Sequence, residues 1–133
     1  MRTKTNNKIV HPDISYKVNG ILFKVRKELG RFRNEKQYCD AIEGYLKKDS
    51  VPYEREKILA ISFESESPRR NKVDFLIDDK IVLEVKSKPF ITKEDYNQTM
   101  RYLCSLDKKL AILVNMRRYY IQPKRVLNSK GHE

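Results

Sequence analysis

At 133 residues, with 39% hydrophobic and 35% charged residues, the chain suits a single domain with one core. No apolar run approaches the ~18 residues of a membrane span. The basic start, Met1 to Lys8, has no apolar stretch behind it, so no secretory signal is expected. Cys39 and Cys104 stand alone, without metal-type spacing, which argues against a zinc site and predicts buried, reduced thiols in a cytoplasmic protein.

In chain order, Pro12–Leu29 reads as a helix with Pro12 at its start, an apolar stripe of Ile14, Val18, Ile21, Leu22, Val25 and Leu29, and Gly30 as its stop. A second helix is predicted from Glu35 to Lys48. Asn34 caps it, and Tyr38, Ala41, Ile42, Tyr45 and Leu46 form its buried face. Beyond Pro52 the pattern shifts to strand-like runs, Tyr53–Phe63, Lys72–Ile77 and Lys80–Lys88, with a loop over residues 65–71. A third helix runs from near Thr92 to Leu106, with Glu94 and Asp95 in its first turn. Leu110–Asn115 is a compact apolar strand, and Tyr119–Val126 a further one broken by Pro123 at an edge. The order αα-βββ-α-ββ predicts an α/β (α+β) fold, a mixed sheet covered by helices. Residues 1–133 form one domain, with 1–10 and 127–133 as flexible tails.

The net charge of +11 is uneven. Residues 1–33 hold nine Lys and Arg against two acids, residues 107–133 seven against two, and residues 34–106 thirteen against fourteen. Basic ends are the electrostatic footprint of a nucleic-acid binder. Carboxylates in the middle add nothing to a mere phosphate clamp, but they suit a protein that holds a metal against a phosphate.

That chemistry centres on the hairpin Val73-Asp74-Phe75-Leu76-Ile77-Asp78-Asp79-Lys80-Ile81-Val82-Leu83-Glu84-Val85-Lys86. Asp74, Glu84 and Lys86 interrupt runs of Val, Ile and Leu, where charge is costly unless paired or metal-bound. Glu-x-Lys by itself is a common solvated surface pattern, and its apolar setting is what singles it out. Glu84 and Lys86 share a strand face. Asp74 joins them only if the connection has three residues, or a bulge of equal effect, because a two-residue turn would pair Asp74 with Leu83 and send Glu84 to the other face; a three-residue connection or a bulge is therefore predicted.

Asp74 followed by Glu84-Val85-Lys86 resembles the core of the PD-(D/E)XK nuclease superfamily. The chain as a whole, from about Ile14 to Val126, is similar to that superfamily's GxxExxY protein family. The landmarks are Gly20-Ile-Leu-Phe-Lys-Val25, Glu-Leu-Gly30, Glu35-Lys-Gln-Tyr38, the Asp74 hairpin, Gln98-x-x-x-Tyr102 and Leu110-Ala-Ile-Leu-Val-Asn115. The resemblance implies a restriction-endonuclease-like core and a Mg²⁺- or Mn²⁺-dependent nuclease. Such an enzyme would cut DNA in repair, recombination or defence. It implies that Asp74 and Glu84 bind metal, that Glu35 completes the acidic cluster, and that Lys86 serves the attacking water. Gln98 and Tyr102 would shape the site, and Arg117 and Arg118 are candidates for nucleic-acid contact. Two departures touch loops: Phe32 stands where the family has its naming glycine, and Met116-Arg117 follows Asn115 where glycine is usual.

Read without the resemblance, Glu35 complements a helix dipole, Tyr38 and Tyr102 belong to the core, and Gln98 borders an apolar arc. His11 and His132 have no partner, and Ser15, Ser62 and Ser87 lack the His/Asp context of acyl transfer. The alternative function is a non-catalytic nucleic-acid- or partner-binding module on the same fold.

Overall fold

The computed structural model describes residues 9–133. Three helices and five strands follow in chain order: α1 Pro12–Leu29, α2 Glu35–Lys48, β1 Tyr53–Ile58, β2 Lys72–Ile77, β3 Ile81–Lys86, α3 Lys93–Leu106, β4 Leu110–Asn115 and β5 Lys124–Leu127. The order is the one expected. Local signals set the helix ends. Pro12 opens α1, and Gly30, in the left-handed region at φ 77°, closes it by donating its N–H to Arg26 O at 2.9 Å. Reciprocal capping boxes open α2 (Asn34 with Gln37) and α3 (Thr92 with Asp95).

One sheet of order β1-β2-β3-β4-β5 carries the fold. All neighbours are antiparallel except β3 and β4, whose parallel pairing is bridged by α3. Helices cover both faces, so β4 reads as an almost continuous apolar run and β3 as one broken only by Glu84 and Lys86. On one face α1 and α2 pack over Phe75, Ile77, Ile81, Leu83, Val85, Ile112 and Val114. On the other, Tyr102 and Leu103 of α3 pack over Leu76, Val82, Ala111, Leu113 and Val126. No described helix is long and apolar enough to cross a membrane.

Four expectations are corrected. β1 stops at Ile58 rather than Phe63, because Leu59 N donates to Asn71 O and Glu66 then gathers Ser62 and Asn71 into a loop that leaves Ile61 and Phe63 exposed. The last strand begins after Pro123 rather than at Tyr119, because the carbonyls of residues 116, 118 and 119 are taken by Arg26 of α1. Cys39 is buried but Cys104 lies on the outer face of α3. Finally, the C-terminal end is tied down where a tail was expected. Asn128 N donates to Lys109 O at 2.9 Å, His132 N to Asp107 O at 3.1 Å, and the His132 ring pairs with the Asp107 carboxylate. Gly131 is required there, since a Cβ would fall 2.1 Å from Lys108 O. Residues 1–8, the bulk of the expected N-terminal tail, lie outside the described residues.

Candidate active site

The β2–β3 connection decides whether the acids can meet. Asp78 and Asp79 both adopt left-handed conformations (φ 53° and 52°), and Lys80 N donates to Ile77 O at 3.0 Å. Lys80 adds a third connecting residue, so Ile77 pairs with Ile81, Leu76 with Val82 and Phe75 with Leu83. The next pair in this register is Asp74 with Glu84, on the face shared with Lys86.

At that pair the backbone ladder gives way to side chains. Asp74 N donates to Glu84 Oε2 at 2.8 Å, and Val85 N donates to Asp74 Oδ2 at 2.7 Å. Each carboxylate thus caps the opposite strand in the gap where β2 and β3 part. β1 is distorted at the same level. Glu56, opposite Asp74 in the register, sits at φ 53° and drops out of the ladder between the Arg55–Phe75 and Lys57–Val73 pairs.

Two carboxyls so placed oppose each other's ionisation. Glu84 is only 4% exposed. Burial, and then the charge of Asp74, push its carboxyl up to about 8. Burial also raises Asp74, against the opposing pull of the Val85 N–H, and Glu35 adds to the rise. The half-buried Lys86 favours the ionised form of both acids and forms no ion pair among the described residues.

Glu35 is exposed at the first position of α2, and its Oε2 accepts from Ser87 N at 3.4 Å. The preceding loop is pinned by Tyr38, whose hydroxyl donates to Gly30 O at 2.5 Å and accepts from Arg33 N at 3.3 Å. Tyr38 is therefore a core residue that positions Glu35. Glu35 lines a cleft of about 130 Å³ with Asp74, Glu56 and Lys72. It does not close on Asp74 and Glu84 as a third ligand: among the described residues no three His, Cys, Asp or Glu side chains gather tightly enough to hold a metal.

From the opposite side α3 brings Tyr102, buried, with Gln98 half-buried one turn earlier. Burial, and then the Glu84 charge, raise the Tyr102 phenol. Arg117 is half-buried, with its Nε unpartnered and its carbonyl held by Arg31 Nε at 2.9 Å, while Arg118 is exposed. Phe32, in the glycine's place, is 74% exposed with the Arg31 guanidinium 5.0 Å from its ring centroid.

Sequence reasoning gave no role to Asn115 or to Ser87. Asn115 exchanges hydrogen bonds with Lys88 (Nδ2 to Lys88 O at 2.8 Å, Lys88 N to Oδ1 at 3.2 Å), fixing the exit of β3 to the end of β4. Ser87 Oγ donates to Arg33 O at 2.7 Å, locking that exit to the entry of α2. An amide ending an otherwise apolar strand was the one available signal for Asn115.

Comparison with curated proteins and with solved structures gives no match. A family model of the PD-(D/E)XK nuclease superfamily matches residues 12–126, from the first turn of α1 into β5. The mixed sheet flanked by helices agrees with that superfamily's restriction-endonuclease-like core. The match takes in both strands of the hairpin and all three helices, and the chain belongs to the PD-(D/E)XK nuclease superfamily.

Proposed function

We propose that this domain is a divalent-metal-dependent nuclease that hydrolyses phosphodiester bonds of DNA, as a GxxExxY-type member of its superfamily acting in repair, recombination or defence in the cytoplasm. The observation that carries the reading is the pairing of the half-buried Asp74 carboxylate with the buried Glu84 carboxylate in the gap between β2 and β3. The donor set fits Mg²⁺ or Mn²⁺, which are hard cations that take carboxylate oxygens. The cost of ionising Glu84 beside Asp74 is the cost that a bound cation relieves. Asp74 and Glu84 would hold the ion, with Glu35 approaching from α2. When bound, it supplies Lewis-acid activation at the phosphodiester.

The chain's own residues do the rest. Lys86, on the face of Glu84, orients the attacking water and offsets negative charge that develops on the phosphoryl oxygens. Tyr102 and Gln98 wall the site from α3, and Arg117 and Arg118 contact the phosphate backbone. A second reading, a binding module without catalysis, draws on one observation: both acids already accept backbone N–H bonds from each other's strands. Purified protein incubated with labelled DNA separates the two. Cleavage with Mg²⁺ or Mn²⁺ that stops on chelation, and is abolished in Glu84→Gln, supports the nuclease. Robust cleavage by Glu84→Gln, or in excess chelator, overturns it, while binding without cleavage favours the module.

A further inference from the structure

We infer that the cleft beside the acid pair is a subsite for an unpaired nucleotide, so that the substrate is single-stranded DNA or a frayed end; this rests on the nuclease reading above. The cleft encloses about 380 Å³ between the loop that follows β3 and the strand pair β4–β5. Its walls are apolar at Phe90, Ile91 and Leu113 and cationic or amide-bearing at Arg118, Gln122 and Lys124, with no acid among them.

Sheet register ties this cleft to the acids. Glu84 pairs with Leu113 and Lys86 with Asn115 in the parallel ladder, and Leu113 pairs with Lys124 in the antiparallel one. Directly paired residues face the same way, so the row Glu84–Leu113–Lys124 crosses one face of the sheet. With strands about 4.8 Å apart, the cleft lies one to two strands, roughly 5–10 Å, from Glu84. That separation suits a nucleotide adjoining the scissile phosphate.

The chemistry of the walls selects an unstacked base. Phe90 is 76% exposed, a bare aromatic ring beside a positively charged recess. A base inside a duplex has both faces stacked and cannot reach it, whereas an unpaired base can stack on an aromatic ring whatever its identity. Arg118 and Lys124 form no ion pair among the described residues. Arg118 Nε is oriented by Tyr120 O at 3.0 Å, and Lys124 Nζ sits 5.8 Å from the Tyr96 ring centroid. Both are available for the flanking phosphates, and the amide of Gln122 can reach a base edge. Asn115 holds the loop bearing Phe90 in place through Lys88.

The test is fluorescence anisotropy with labelled oligo-dT and with a duplex of equal length, in chelator so that nothing is cut. Wild type should prefer the single strand. Phe90→Ala should weaken single-strand binding about ten-fold, leave duplex binding unchanged, and keep the wild-type thermal midpoint because Phe90 is exposed. Lys124→Ala should lower the slope of log affinity against log salt by about one. Equal single-strand binding by Phe90→Ala, a wild-type preference for duplex, or no DNA binding at all overturns the subsite. The two readings fail separately: metal-dependent cleavage with an inert Phe90→Ala removes the subsite alone, and a Phe90 effect without cleavage removes the nuclease alone.

Discussion

Glu84 lies in a strand of Val, Ile and Leu, and its carboxyl is raised from an ordinary 4.5 to about 8 by burial and by Asp74. The folded state therefore holds this proton more tightly than the unfolded chain does. Its contribution to stability is complete below about pH 4.5 and is lost as pH rises through about 8. In chelator the thermal midpoint should fall between these limits, and Glu84→Gln should flatten the decline. At pH 8, Mg²⁺ or Mn²⁺ should raise the midpoint of wild type and not of Glu84→Gln, a readout independent of cleavage. Tyr38 makes a second prediction at this scale. Tyr38→Phe removes its bond to Gly30 O and should cost about 1 kcal/mol in denaturant unfolding, and lower turnover by loosening the loop before Glu35. Asp74, Glu84 and Lys86 were legible in the sequence because a charge inside an apolar run needs a reason. Asn115 and Ser87 were not, since their work is to bond backbone atoms of distant segments, which no local pattern records.

Among the elements, helices were read closely because their ends are written locally: Pro12, Gly30, Asn34 and Thr92 each sit where the backbone needs them. Asn34→Ala should cost about 1 kcal/mol, measured by chemical denaturation. The strands show where such reading stops. Ile61, Phe63, Tyr119 and Tyr120 are good strand formers, yet all are exposed in loops whose shape is set by Glu66 and by the Arg26 guanidinium of α1. Both turn lengths fit the letters, and the three-residue connection was expected only because Asp74 and Glu84 must share a face to hold one ion. Lys80 settles it. Deleting Lys80 forces a two-residue turn and rotates β3 so that Ile81, Leu83 and Val85 exchange faces with Val82 and Glu84. That deletion should abolish cooperative unfolding followed by circular dichroism.

Across the whole molecule, the proposed nuclease reading gives the charge of +11 and the acid pair separable tasks. Lys86→Ala should keep DNA affinity, because that affinity is spread over many Lys and Arg contacts and falls steeply with salt, whereas cleavage should be lost. Affinity indifferent to salt, or binding lost with Lys86 alone, would count against the basic-surface reading. The distortion at Glu56 has a consequence for the sheet as an object with two rims. β1 is one rim, and its left-handed residue breaks the outward row of donors and acceptors midway along six residues. β5, the other rim, has four residues and follows Pro123, which has no N–H to offer. Neither rim gives a second copy of the chain a continuous seam to zip onto, so the fold is built against strand-by-strand aggregation even where many copies crowd together.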